Sequence, residues 1–211
     1  SLDGEAVIGI NSDENGTTIV TDTGVFLSPR NAPSSEFIFT DILDVEFGDS
    51  VIYVLTKDEL ILVDLTSMGA ETIVENTYDL SRISISESTL FAISGIQNNG
   101  SYFKMNLTSD QFSFVEEEVE FEGEAIGAEI YSDSDSVVIL FQTLFNSQLC
   151  WINVEVPDCS DIGESNIAFI HRNEIFIGSS SSIKWWNGSG FQEVFIIESS
   201  ILGANEGGLI L

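Results

Sequence analysis

The sequence predicts an all-β protein built from repeated four-stranded antiparallel sheets, and three observations lead to this fold class. Residues 44–67 contain three strand-like runs separated by two tight turns. Comparable turns recur at positions 15, 49, 87, 135, 173 and 206, with spacings of 34, 38, 48, 38 and 33 residues. No window sustains the 3.6-residue periodicity of a helix. Repeats near 40 residues, each with several short strands, are typical of β-propeller blades.

Each repeat is expected to open with an inner strand, such as 42–47 and 82–86, followed by a turn and an apolar second strand. The runs 51–55 and 137–141 are unbroken apolar segments, which indicates burial on both faces of the sheet. The turns carry acids or amides, which suit tight turns. Outer strands are more polar and are expected at Glu36–Thr40, Glu71–Val74, Gln111–Val115 and Phe191–Ile197, with the fourth near Cys159. The acidic stretch 116–124 is interpreted as an insertion or a longer outer hairpin.

These elements predict five near-complete blades and part of a sixth. Their approximate bounds are 5–40, 41–78, 80–118, 122–163 and 165–198, with the partial blade at 200–211. The leftover strand pair has no counterpart at the other terminus, and the chain ends within an apolar run. We therefore expect a fragment of a larger propeller rather than a closed five-bladed ring.

The chain is strongly acidic, with 35 acidic and 6 basic residues and a formal net charge of −29. Such a surface disfavours nucleic acid, which requires a Lys/Arg patch, and anionic membranes. The apolar runs are far shorter than the roughly 20 residues of a spanning helix, so no membrane insertion is expected. Proteins, glycans and cations remain compatible partners. The charge is equally compatible with an adaptation to salty surroundings that implies no partner.

Cys150 and Cys159 lie on either side of a turn at Pro157-Asp158. On two arms of one hairpin, their Cα atoms would fall within the range that a disulfide tolerates. Two cysteines cannot complete a tetrahedral zinc site, and His171 is distant in sequence. We expect a disulfide if the protein is exported, and an extracellular or cell-surface location.

The residues Asn11, Asp13, Asn15 and Asp22 match positions 1, 3, 5 and 12 of a calcium loop, with Gly16 at position 6. Oxygen ligands that alternate along a loop curled by glycine can supply the six to eight oxygens that calcium prefers. Asn11 stands where Asp is usual, and Asp22 stands where Glu is usual. Simple turn chemistry at the Asn-Gly pair explains the same residues without a metal, so both interpretations stay open.

Trp185 and Trp186, with Trp151, Tyr102 and Phe103, suggest an aromatic platform for sugar stacking. Adjacent strand residues point to opposite faces, so at most one of Trp185 and Trp186 can face a ligand. Packing between blades is the alternative for both. The chain has no nucleophile elbow, phosphate loop or dinucleotide fingerprint, and no catalytic residue is predicted.

Two segments resemble known propeller families. The segment 173–194, NEIFIGSSSSIKWWNGSGFQEV, resembles blades of two-component-regulator-type propellers, in which an I-W-I-G-T strand precedes a short turn and a Y-D-G-x-x-F strand. The segment 51–67, VIYVLTKDELILVDLTS, is similar to YVTN-type and quinoprotein-like blades. The resemblance covers the whole chain and implies the propeller fold. Propellers serve many functions. We expect a non-enzymatic binding or scaffold domain for a protein or glycan, with a propeller glycoside hydrolase or an extracellular sensor module as alternatives.

Overall fold

The structure, a computed structural model, describes residues 6–12, 16–30, 34–48, 50–95, 99–109, 111–121, 123–132, 136–152, 158–163, 167–171, 174–178, 182–186, 190–196, 203–205 and 208–210. Its strands form five four-stranded sheets and one two-stranded sheet, all antiparallel. The predicted all-β fold of repeated four-stranded sheets is therefore confirmed. In the part of the chain that the structure describes, no helix has the length and apolar character needed to cross a membrane.

The chain divides into two compact units, Ser1–Ile83 and Ser84–Leu211. The first unit contains two sheets whose strands lie side by side in chain order. The first sheet comprises β1 (Val7–Ser12), β2 (Gly16–Thr21), β3 (Gly24–Pro29) and β4 (Ser35–Ile38). The second comprises β5 (Ile42–Phe47), β6 (Val51–Thr56), β7 (Glu59–Asp64) and β8 (Gly69–Glu75).

The remaining sheets fall mainly in the second unit and repeat the same order. The third comprises β9 (Arg82–Ser86), β10 (Thr89–Ile93), β11 (Ser101–Asn106) and β12 (Val115–Glu118). The fourth comprises β13 (Gly127–Ser132), β14 (Val137–Gln142), β15 (Ser147–Trp151) and β16 (Asp158–Gly163). The fifth comprises β17 (Ile167–His171), β18 (Glu174–Gly178), β19 (Ser182–Trp186) and β20 (Phe191–Ile196), and a strand pair follows, β21 (Gly203–Asn205) and β22 (Gly208–Ile210).

Strand β14 illustrates why the second strand of a repeat is uniformly apolar. Val137, Ile139 and Phe141 pack in a core shared with the third sheet. Val138 and Leu140 point the other way, into a core shared with the fifth sheet. Because successive side chains alternate between faces, an unbroken apolar run is needed to fill both cores. The burial on both faces that the sequence predicts is present.

The inner strands of neighbouring sheets are also joined by polar contacts. In the first unit, Asp44 accepts a hydrogen bond from the backbone N–H of Ile83 at 2.8 Å. In the second unit, the hydroxyls of Ser84 and Ser132 lie 2.6 Å apart, and the N–H of Ala128 donates to the carbonyl of Gly95 at 2.9 Å. These contacts set the spacing at which adjacent sheets pack.

The outer strands carry exposed carboxylates. On β8, β12 and β16 they are Glu71, Glu75, Glu116, Glu118, Asp158 and Asp161, and β4 and β20 carry Glu36 and Glu193. An outer strand has one unpaired edge and one solvated side, so charged side chains stay hydrated there.

Strand β12 corrects one sequence expectation. The outer strand of the third sheet was expected at 111–115, but it runs over Val115–Glu118 and takes in three consecutive glutamates. The reason is a set of cross-strand contacts centred on Glu117. Lys104 Nζ lies 2.7 Å from Glu117 Oε2, and the hydroxyl of Tyr102 donates to the same oxygen at 2.6 Å. These two partners, both on β11, favour the glutamate segment as the edge strand.

These contacts predict an acid-sensitive component of stability. The hydrogen bond from Lys104, and then the one from Tyr102, lower the pKa of Glu117. A carboxyl whose pKa is lowered by folding stabilises the protein above its unfolded value, about 4.3, and loses that contribution as pH falls through the folded value. Because the pair is partly exposed, the contribution is below about 1 kcal/mol. Between pH 5 and pH 3, urea unfolding should show a smaller loss of stability for Glu117→Gln than for the unsubstituted protein. Parallel pH profiles would contradict this.

Candidate functional site

A cavity of about 600 Å³ lies in the second unit, between the outer strand of the fourth sheet and the fifth sheet. Strand β16 contributes one wall, and β18, β19 and β20 contribute the other. The lining residues are Ser160, Asp161, Ile162, Gly163, Ile177, Lys184, Trp186, Gly190, Phe191 and Glu193.

The floor of this cavity is aromatic. Trp186 lies opposite Phe191 in the register of β19 and β20, and their ring centroids are 5.0 Å apart. Trp151, at the end of β15, lies 5.0 Å from Trp186. The three rings pack against the core between the fourth and fifth sheets, and Trp186 and Phe191 are only half-buried. Trp186 and Phe191 therefore line the cavity with partly exposed rings.

Charged groups stand on the same face of the sheet. Lys184 precedes Trp186 by two positions, so both side chains project from one face of β19. Glu193 lies directly opposite Lys184 across the β19–β20 pairing. Ser160 adds a hydroxyl from β16, where it lies opposite the core residue Leu149. The cavity therefore combines a partly exposed aromatic surface with an ammonium, a carboxylate and a hydroxyl.

Trp185 does not share this cavity. It lies opposite Phe176 on one side and Gln192 on the other, on the face of the sheet away from Trp186. Its indole Nε1 is buried and has no hydrogen-bond partner among the described residues. The expectation that at most one of the two tryptophans faces the same ligand agrees with this geometry.

Two other members of the five-residue aromatic platform lie elsewhere. Tyr102 is buried in the core between the third and fourth sheets, where its hydroxyl is bound to Glu117. Phe103 is also buried and packs edge-on against Phe114. Of the five aromatic residues, Trp151 and Trp186 lie together, and Phe191 joins them from β20. Phe191 was missed because its place opposite Trp186 depends on the cross-strand register, which the sequence alone does not reveal.

Two residues of the calcium-loop pattern, Asn11 and Asp22, lie at opposite ends of one hairpin. Asn11 lies opposite Thr18 in the β1–β2 hairpin, whereas Asp22 lies beside Ala6 at the other end of that hairpin. Asp22 lies four residues along the strand from Thr18, the partner of Asn11, which corresponds to about 13 Å. Ligands of one calcium ion lie within about 2.6 Å of it, so Asn11 and Asp22 cannot share an ion.

The other two residues of that pattern, Asp13 and Asn15, lie outside the described residues, and calcium binding by the turn itself stays a prediction. Among the residues that the structure describes, no group of three or more His, Cys, Asp or Glu side chains is placed to hold a metal. The described residues on either side of the turn are extended strands, whereas the spacing of a calcium loop assumes a curled segment.

Cys150 and Cys159 are joined by a disulfide across the β15–β16 pairing, with their Cα atoms 4.0 Å apart. Cys150 is fully buried in the core between the third and fourth sheets, and Cys159 packs against that core. The bond fastens the outer strand β16, one wall of the cavity, to the buried strand β15.

Reduction of this bond should destabilise the protein by about 2.5 kcal/mol, because the closed loop of about ten residues restricts the unfolded chain. The chain has only these two cysteines, so dithiothreitol changes one bond and nothing else. Urea unfolding monitored by tryptophan fluorescence, with and without dithiothreitol, measures the difference. A Cys150→Ala/Cys159→Ala variant should match the reduced protein in both conditions. An unchanged urea midpoint on reduction would contradict the expectation.

Comparisons with solved structures place the fold. The chain is similar to a quinoprotein alcohol dehydrogenase-like protein from Bacteroides thetaiotaomicron, with a TM-score of 0.70, 12% identity and coverage of 96% of this chain and 58% of that one. It is similar to the WD40 domain of Pan2 from Neurospora crassa, with a TM-score of 0.67, 11% identity and coverage of 96% and 69%. The extracellular domain of a hybrid two-component system from B. thetaiotaomicron gives a TM-score of 0.62, 13% identity and coverage of 97% and 30%.

These likenesses are of fold and not of sequence. No protein-family model matches the chain, and no curated protein matches its sequence. The chain spans about three fifths of the length of the quinoprotein-like structure. The similar structures are propellers, and every complete sheet described above has the four antiparallel strands of a blade, arranged in chain order. The chain therefore has the β-propeller fold, with each four-stranded sheet as one blade.

Proposed function

We propose that this chain is a non-enzymatic binding domain of an exported or cell-surface protein, and that the cavity beside Trp186 binds a neutral glycan. The observation that carries the proposal is the combination, on one face of β19 and β20, of the Trp186–Phe191 surface with Lys184 and Glu193. The disulfide between Cys150 and Cys159 supports export, because such bonds persist in oxidising compartments.

A glycan fits this chemistry better than other small ligands. A pyranose ring has an apolar face that stacks on an indole, and hydroxyls around its edge that bind carboxylates and ammonium groups. The cavity volume is within the usual range for small-ligand sites. The net charge of −29 repels sulfated and uronic-acid chains, which favours a neutral oligosaccharide.

An array of neutral oligosaccharides, followed by calorimetric titration of the best binder, tests the proposal. Glu193→Ala should weaken binding about tenfold or more, since a hydrogen bond to a charged group contributes about 1.5–3 kcal/mol. The matched control is Gln192→Ala, the adjacent exposed position on the other face of β20, which should bind within about twofold of the unsubstituted protein. Folding of each variant is checked by circular dichroism. Equal losses in the two variants, or no binder on the array, would overturn the glycan assignment.

The same titrations separate binding from hydrolysis. After prolonged incubation, the oligosaccharide should be recovered intact by mass spectrometry. Cleavage products that disappear in Glu193→Gln, with binding retained, would replace the proposal with a propeller glycoside hydrolase.

A further inference from the structure

The turn between β14 and β15 exposes two large apolar side chains. Leu144 is 75% exposed and Phe145 is 90% exposed, although both lie between strands that are almost completely buried. Two-residue hairpin turns usually carry Gly, Asn or Asp, so two large apolar side chains are unusual at this position.

Hydrogen bonds between Thr143 and Asn146, the residues that flank the pair, hold this turn in place. The N–H of Thr143 donates to the carbonyl of Asn146 at 2.9 Å, and the Thr143 hydroxyl donates to the same carbonyl at 3.0 Å. In return, the N–H of Asn146 donates to the Thr143 hydroxyl at 3.2 Å. The amide Nδ2 of Asn146 donates to Asp161 Oδ2 at 2.5 Å, which ties the turn to β16. Leu144 and Phe145 are thus presented by a pre-organised support.

The second sheet contains the same turn with a polar tip. Between β6 and β7, the hydroxyl of Thr56 donates to the carbonyl of Glu59 at 2.9 Å and accepts from its N–H at 3.0 Å. The two residues between them are Lys57 and Asp58. Since the fold closes this turn equally well with a polar pair, the Leu-Phe pair at the equivalent position is not required by the hairpin. An additional role explains the exposed apolar pair.

The surroundings of the pair define what it can contact. Ile126, also exposed, lies alongside, because its N–H donates to the carbonyl of Gln142 at 2.8 Å. We call Ile126, Leu144 and Phe145 the apolar tip. Two exposed carboxylates lie nearby. Asp161 accepts a hydrogen bond from the turn. Glu124 follows Gly123, and a methyl group added to Gly123 would contact the Thr143 methyl at 3.5 Å, so this segment runs beside the turn.

We propose that the apolar tip is a docking element for another protein, one that offers an apolar pocket with Lys or Arg at its rim. An aromatic and aliphatic pair on a hydrogen-bonded turn is suited to act as an interface anchor, because the backbone of the turn is already ordered before binding. The nearby carboxylates complement a basic rim. A second copy of this chain would bring another net charge of −29, and an anionic membrane would be repelled in the same way. Asp161 lies beside both the apolar tip and the glycan cavity, so the variants that test the tip leave Asp161 unchanged.

The test uses a probe with the proposed partner's chemistry, β-cyclodextrin carrying amino groups around one rim. It provides an apolar pocket bordered by ammonium groups, and neutral β-cyclodextrin is its reference. The central variant is Leu144→Lys/Phe145→Asp, which transplants the polar tip of the second sheet onto the same threonine-closed turn and leaves the net charge unchanged. Ile38→Ser, which removes an aliphatic side chain that is 77% exposed in the first unit, is the control.

Calorimetric titration should give at least fivefold weaker binding of the aminated probe for Leu144→Lys/Phe145→Asp, and no change beyond twofold for Ile38→Ser. Glu124→Gln should weaken binding at 50 mM NaCl by about twofold and have no effect at 500 mM. Equal binding by the transplanted variant, or preference for neutral β-cyclodextrin, would overturn the proposal. So would dimers in sedimentation velocity, or adsorption to phosphatidylcholine vesicles, if either disappeared in the transplanted variant.

Discussion

Phe141→Ala is expected to lower the free energy of unfolding by about 3–5 kcal/mol, whereas Phe145→Ala should change it by less than about 0.5 kcal/mol. The two phenylalanines are four positions apart, but their surroundings are opposite. Phe141 is fully buried and stacks on Phe121 with a centroid distance of 4.3 Å, so its removal leaves a cavity in the core between the third and fourth sheets. Phe145 is solvated in the folded and unfolded chain alike.

Urea denaturation followed by tryptophan fluorescence measures both effects, since all three tryptophans belong to the second unit together with these phenylalanines. The paired design controls for residue type and for the change in chain hydrophobicity. Similar losses in the two variants would mean that the core between the third and fourth sheets does not contain Phe141. A large loss for Phe145→Ala alone would place that side chain inside the folded unit.

Gly100→Ala is expected to cost at least about 3 kcal/mol, and Gly163→Ala only about 1 kcal/mol. Both glycines have positive φ, +96° and +70°, which costs an alanine about 1–2 kcal/mol. They differ in the space available. A Cβ on Gly100 would lie 2.2 Å from the carbonyl oxygen of Val119, whereas a Cβ on Gly163 would meet nothing within 4 Å.

The obstacle at Gly100 is backbone, which cannot rotate away. The carbonyl of Gly100 also accepts the N–H of Val119 at 3.0 Å, so the two segments are held together at this point. Thermal and urea unfolding of the two variants separate the loss of stability caused by a positive φ from the loss caused by the steric clash. Equal destabilisation would show that conformational strain alone accounts for both and that the approach to Val119 is relaxed in solution.

Local sequence patterns predict the bounds of those strands whose position does not depend on contacts with other strands. Strands β5 and β9 have the bounds 42–47 and 82–86 that the sequence predicts, because alternating burial and flanking turns act within a few residues. Strand β12 was misplaced because its three glutamates are unfavourable in a strand by local propensity. The contacts of Glu117 with Lys104 and Tyr102 offset that propensity, and they are visible only once β11 and β12 are paired.

In the candidate site too, some residues follow from the local sequence pattern and others depend on how strands and sheets pair. Trp186 is recognisable in the sequence as an exposed-aromatic candidate, and the alternation rule separates it from Trp185. Lys184 also follows from alternation, two positions before Trp186. The positions of Glu193 and Phe191 do not follow from alternation. A shift in the β19–β20 register would place other residues of β20 opposite Lys184 and Trp186. The wall supplied by β16 depends on how the fourth and fifth sheets stack, which no local pattern encodes.

The carboxylates on β8, β12 and β16 have a consequence for the behaviour of the protein at high concentration. In the described part of the chain, the outer strand of each four-stranded sheet pairs with a strand on one side only, and such an edge is a template for another chain to extend the sheet. An incoming strand of the same protein would bring its own acidic border against an acidic border. Like charges at these edges therefore oppose lateral growth into fibrils, even though the chain is two-fifths apolar.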